Sequence, residues 1–121
     1  MLLDTSILVD FMRGKTEAIS FVESLGRAAS LSVVSVAELF TGAKRQTEER
    51  EIRDLVGDLQ VFVVSQPIAE RAGAHVKHFA ASHSLALPDA LIAATAEHHG
   101  LALATLNVKH FPMFKKLRAP Y

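Results

Sequence analysis

The chemistry-bearing residues of this chain form a short set: Asp4, Glu38, Asp89 and Asn107. Asp89 poses the sharpest question. It is the only charged residue in LALPDALIAATA, Leu85 to Ala96. In helical projection it shares a face with Ile92, Ala93 and Ala96. A carboxylate over small apolar residues suits a helix packed on a sheet, with the charge at the rim. Each of the four also has a plain structural explanation. Asp4 can cap a helix, and Glu38 can complete a capping box with Ser35. Asp89 can be a favourable first-turn charge beside Pro88, and Asn107 a turn residue. Together, four such accidents on one edge are the less economical account.

Three carboxylates gathered in one place raise one another's pKa or need a cation. Mg²⁺ or Mn²⁺ fits: such ions take oxygen ligands, keep several waters and use one or two carboxylates plus a substrate phosphate. The matching chemistry is hydrolysis of a phosphodiester.

The elements that must position these residues can be read from patterning. Leu2–Leu3 is a first strand ending at Asp4. Thr5 or Ser6 caps a helix over Ile7–Arg13, stopped by Gly14. Thr16 caps a second helix through Ala18–Leu25. Leu31–Val34 (LSVV) reads as a strand, followed by helix through Leu39–Lys44. Thr47–Leu59 is a helix with Glu49–Arg53 and Arg50–Asp54 spaced for ion pairs. Val61–Ser65 (VFVVS) is a third strand. Pro67 and Pro88 open two further helices, the second stopped by Gly100. Leu101–Thr105 (LALAT) is a fourth strand. Lys109–Leu117 is a turn or short helix, and a brief last strand falls near Leu117–Ala119. Alternating helices and near-continuous apolar strands predict an α/β fold on a parallel sheet. Ligands of such sheets bind beyond the carboxyl ends of the strands, the edge to which the four residues map.

Composition bounds the remaining possibilities. The 121 residues suit one domain, 1–121. Thirteen basic and thirteen acidic residues leave no net charge, so a nucleic acid would be held by a metal or a local patch rather than a basic surface. Lys109, Lys115, Lys116 and Arg118 are either a basic tail near the active edge or solvated surface. With no cysteine, disulfides, thiol catalysis and thiolate zinc sites are excluded. His75 and His78 have metal-ligand spacing but no evident third partner, and the seven phenylalanines read as core. No apolar run reaches membrane-span length and the opening MLLDTSILVDFMRG lacks a signal-peptide layout. The expectation is a cytoplasmic protein with no membrane partner.

These motifs together resemble the PIN-domain ribonucleases, in particular the VapC-type toxins of bacterial toxin–antitoxin pairs. LLDTSILVDFMRG, SVVSVAELFTGA and LPDALIAATAEHHGLALATLNVKHF correspond in order to the acidic segments of that family. The resemblance implies an α/β/α sandwich around a mainly parallel sheet, commonly a homodimer. It implies a Mg²⁺- or Mn²⁺-dependent endoribonuclease with an RNA substrate, inhibited by a cognate antitoxin near the acidic groove. On this match Asp4 and Asp89 are the metal ligands, Glu38 holds a water or a second ion, and Ser6 and Thr105 are polar supports. Where many members have a fourth aspartate this chain has Asn107, which offers a carbonyl oxygen but no charge. Two other readings stand beside it. A catalytically inactive PIN-like binding module would lack a needed acid. A phosphoacceptor receiver domain would carry an aspartate at the end of the third strand, where Val64-Ser65-Gln66 stands instead.

Overall fold

Leu2 and Leu3 are adjacent, and neither is exposed. Successive strand residues point to opposite faces, so this requires cover on both sides of the sheet. The computed structural model, which describes residues 1–121, has that arrangement. Strands β1 (Leu2–Leu3), β2 (Ser30–Ser32), β3 (Gln60–Phe62) and β4 (Leu103–Ala104) form one parallel sheet in the order β3-β2-β1-β4. Leu3 pairs with Ala104 and Leu31 with Val61, and this set packs on one core. Facing it are Ile7 and Leu8 of α1 (Thr5–Met12), Val22 of α2 (Thr16–Leu25), Leu39 of α3 (Val33–Gly42), and Ile52 and Leu55 of α4 (Gln46–Asp58). Leu2 pairs with Leu103, and both pack on the other core against Ile92, Ala93 and Ala96 of α6 (Leu87–His98) and against Phe111. Helix α5 (Gln66–His83) lies outside α6, with Ile68 and Ala72 meeting Ala90 and Ala94. The α/β/α sandwich is the predicted fold class. No aspartate ends β3, the position where a receiver domain needs one.

Several elements differ from their predicted limits. β2 stops at Ser32, and Val33 and Val34 form the first turn of α3. The Ser32 side chain accepts the Val34 N–H at 3.1 Å, and this cap outweighs the strand preference of two valines. Ser35 is therefore inside the helix and fully buried, and the Ser35–Glu38 capping box does not form. β3 likewise ends at Phe62, and Ser65 caps α5. β4 is only Leu103–Ala104. Asp4, not Thr5 or Ser6, holds the cap position of α1, and Lys15 holds that of α2. Arg53 pairs with Glu49 at 3.6 Å, whereas Arg50 and Asp54 form no ion pair.

Beyond β4 the chain forms a 3₁₀ turn, Val108–His110, and further turns, in keeping with the turn read over Lys109–Leu117, whereas Leu117–Ala119 forms no strand. There the chain instead docks Tyr121, whose hydroxyl donates to Asp10 Oδ2 at 3.0 Å. Of the phenylalanines only Phe111 is fully buried. Lys115, Lys116 and Arg118 line a groove with Leu101 and Ala102, at the amino end of β4 and away from the carboxyl edge. No helix is long and apolar enough to cross a membrane.

Candidate active site

Asp4 leaves β1 at its carboxyl end, its backbone N–H donating to Ala104 at 2.9 Å. Its side chain is 4% exposed, yet caps nothing. Instead Oδ2 accepts from Thr105 Oγ1 at 2.7 Å and from Ser6 Oγ at 3.0 Å. Both hydroxyl oxygens are occupied from behind. The Leu106 N–H donates to Ser6 at 3.1 Å and the Asn107 N–H to Thr105 at 2.9 Å. A hydroxyl whose oxygen already accepts from an N–H turns its proton outward, here onto the carboxylate. Oδ1 takes no hydrogen bond from the chain, and no buried side-chain polar atom lacks a partner, so this oxygen is the one open to the cleft.

Asp89 reaches the same cleft by another route. It lies in the first turn of α6, after Pro88, and makes no cap bond. Ile92, Ala93 and Ala96 beneath it are completely buried, which sets the orientation of the helix. Burial raises the Asp89 pKa above the ordinary carboxylate value, the charge of Asp4 raises it further and Glu38 adds to it. His110, whose Nδ1 lies 3.4 Å from Oδ2, acts in the opposite direction. Glu38 is exposed on α3, where its Oε1 accepts from Thr5 Oγ1 at 2.7 Å. Thr5 Oγ1 also lies 2.9 Å from the buried Ser35 hydroxyl. Asn107 is exposed, and its side chain makes no cap bond to the 3₁₀ turn that follows.

The fold thus brings Asp4, Ser6, Glu38, Asp89 and Asn107 onto one cleft of about 490 Å³, with Thr105 buried directly behind Asp4. The same cleft includes Thr5, Asp10, Arg13 and His110, which were not anticipated as site residues. A signal for them exists. Thr5, Val9 and Arg13 are spaced i, i+4, i+8, and Ser6, Asp10 and Arg13 i, i+4, i+7, which puts them on one face of α1. His110 follows Asn107 by one 3₁₀ turn. The histidines of α5 are elsewhere, with His75 Nε2 hydrogen-bonded to Glu97 Oε1 on α6.

The donors present suit a hard divalent ion. The carboxylate, hydroxyl and amide donors are oxygens, one Asp4 oxygen is free, and burial together with Asp4 and Glu38 raises the Asp89 pKa. No three Asp, Glu or His side chains close tightly on one point. Mg²⁺ does not need that, since waters and a substrate phosphate complete its shell.

Comparison with known proteins agrees with this geometry. The sequence model of the PIN domain matches residues 1–117. Ribonuclease VapC10 of Mycobacterium tuberculosis is 41% identical over 124 residues, covering 100% of this chain and 92% of its own length. Ribonuclease VapC19 of the same organism is 34% identical, covering 99% and 98%. A solved toxin–antitoxin complex from Klebsiella pneumoniae contains a chain of 35% identity that superposes with a TM-score of 0.85, covering 99% of this chain and 97% of that one. The chain therefore belongs to the PIN-domain family and, within it, to the VapC ribonucleases.

Proposed function

We propose that this chain, residues 1–121 acting as one domain, is an endoribonuclease and the toxin of a toxin–antitoxin pair. It cuts RNA phosphodiester bonds with a divalent cation held by Asp4 and Asp89. The observation that carries the reading is the Asp4 clamp. Four hydrogen bonds, two of them relayed from backbone N–H groups, aim one nearly buried carboxylate at a cleft shared with Asp89 and Glu38. Capping α1 uses none of them. Identity of 41% to a ribonuclease supports RNA as substrate, and 35% identity to a toxin–antitoxin complex supports an antitoxin partner. The assembly that fits the family resemblance is a homodimer, working in the cytoplasm where its RNA is found.

When bound, Mg²⁺ or Mn²⁺ supplies positive charge to the scissile phosphate and a water of lowered pKa. Asp4 is pre-aimed by Ser6 and Thr105, so the geometry is not lost while substrate arrives. Glu38, steadied by Thr5, orients a water or assists a second ion. Asn107 contributes a neutral oxygen, which favours one well-held ion over two. The products carry 5′-phosphate and 3′-hydroxyl ends. Sequencing RNA ends from cells producing the protein tests the reading. Discrete new 5′-phosphate ends are expected with the parent protein and none with Asp89→Asn. Equal ends from both proteins remove Asp89 from the mechanism. No ends from either favour an inactive binding module, the alternative that Asn107 raises.

A further inference from the structure

Arg13 is the only lysine or arginine lining the acid cleft, and it also lines the adjoining groove of about 540 Å³ between α1, α3 and α4. It occupies the C-cap of α1, below Thr5 and Val9 on the cleft-lining face. Helical side chains lean toward the N-terminus, and Arg13 lines the cleft that the acids share.

Its charge is uncommitted. Of the cations lining the cleft and the adjoining groove, Arg45 pairs with Glu48, whereas Arg13 and Lys44 form no ion pair. Arg13 makes no ion pair and no side-chain hydrogen bond, although Asp4, Asp10, Glu38 and Asp89 line the same cleft. The other cationic candidate there, His110, is engaged with Asp89. A chain of zero net charge must draw its hold on a polyanion from a few local cations. A free guanidinium at the mouth of an acidic cleft presents the planar fork that matches a phosphate.

We infer that Arg13 binds the RNA phosphate next to the scissile one, where the cleft opens into the α1–α3–α4 groove. The inference rests on the cleft being the RNA-cutting site. Its role is to set the path of the strand across the acids, so Arg13 is a substrate-binding residue and takes no proton in the reaction.

The test measures anisotropy of a fluorescein-labelled, single-stranded RNA of mixed sequence, with Asp89→Asn protein to prevent cutting. Adding Arg13→Ala is expected to weaken binding about five- to tenfold at low salt. The slope of log affinity against log salt should fall by about 0.7, the value for one phosphate contact on a single strand. Arg13→Lys should restore the slope but only part of the affinity, because a point charge replaces the fork. In cleavage assays on protein with native Asp89, Arg13→Ala should raise KM several-fold with kcat kept. The melting temperature should not change, since the side chain pairs with nothing in the fold. Unchanged affinity and slope, with RNA still bound and cut, overturn the inference alone and leave the guanidinium to a protein partner. A lower melting temperature with kcat lost assigns Arg13 a structural role and also overturns it. Failure of the unsubstituted protein to bind or cut RNA removes the ribonuclease reading and this inference together.

Discussion

Asp4 and Asp89 reach one cleft by opposite means. Asp4 is fixed by hydroxyl donors that are themselves fixed by backbone N–H groups. Asp89 is fixed by the helix beneath it and carries its charge at a cost, because burial and the neighbouring Asp4 raise its pKa. A carboxyl whose folded pKa exceeds its unfolded value binds extra protons in the native state. Metal-free stability therefore falls as pH rises from the ordinary 3.8 through the raised value, and the loss remains at neutral pH. Asp89→Asn should accordingly raise the melting temperature of metal-free protein at neutral pH. It should also cut cleavage by about 10²–10³-fold, since on the proposed mechanism it removes a cation ligand worth several kcal/mol of transition-state stabilisation. Calorimetry beside a cleavage assay checks both, and a lower metal-free melting temperature would contradict the electrostatic account. Thr105→Val tests the clamp. It removes the shorter of the two bonds to Asp4, and orienting partners of a metal ligand are worth about 10–100-fold in metal affinity. Mn²⁺ titration of the cleavage rate should show that loss, with Thr105→Ser retaining most of the affinity.

At the scale of elements, the site depends on where three helices begin. Asp4 is the N-cap of α1, Ser32 is the N-cap of α3, which carries Glu38 in its second turn, and Asp89 follows Pro88 in the first turn of α6. Ser32→Ala removes the acceptor for the Val34 N–H in a completely buried position, and should cost about 1 kcal/mol of stability. Denaturant unfolding should show that loss while folded protein retains its cleavage rate. The helix openings were legible in the sequence to different degrees. Pro88 declares the start of α6 because its ring suits the first helical turn and no later one. Ser32 does not declare the start of α3, because Val33 and Val34 favour strand and a second serine, Ser35, offers a rival cap with Glu38. That contest is decided by tertiary contact. Inside the helix Ser35 can lie beside Thr5, and Thr5 holds Glu38. The absence of a strand at Leu117–Ala119 has a related cause, since this segment is anchored by the Tyr121–Asp10 bond, between residues far apart in the chain.

At the scale of the molecule, a short parallel sheet places every strand's carboxyl end on one edge, and the acids follow. This much is legible, because Asp4 directly follows an apolar strand and Asn107 lies just beyond another, the apolar LALAT run. The clamp is not. Nothing local in Thr105 or Ser6 says that their hydroxyls meet on one oxygen, since residues 4, 6 and 105 converge only when β1 pairs with β4. Burial, Asp4 and Glu38 raise the Asp89 pKa, and on the proposed mechanism a bound cation offsets that charge. Millimolar Mn²⁺ should therefore raise the melting temperature, by about 2.7 kcal/mol of stabilisation at a hundredfold excess over Kd. Asp4→Ala should abolish the rise. The central claim is that these acids cut RNA through a divalent cation, and its most direct measurement is cleavage of labelled RNA by purified protein with Mg²⁺ or Mn²⁺, with chelator, and with Asp89→Asn. The account predicts cutting in the first case alone. Cutting that survives chelation, or that Asp89→Asn performs at the parent rate, would contradict it.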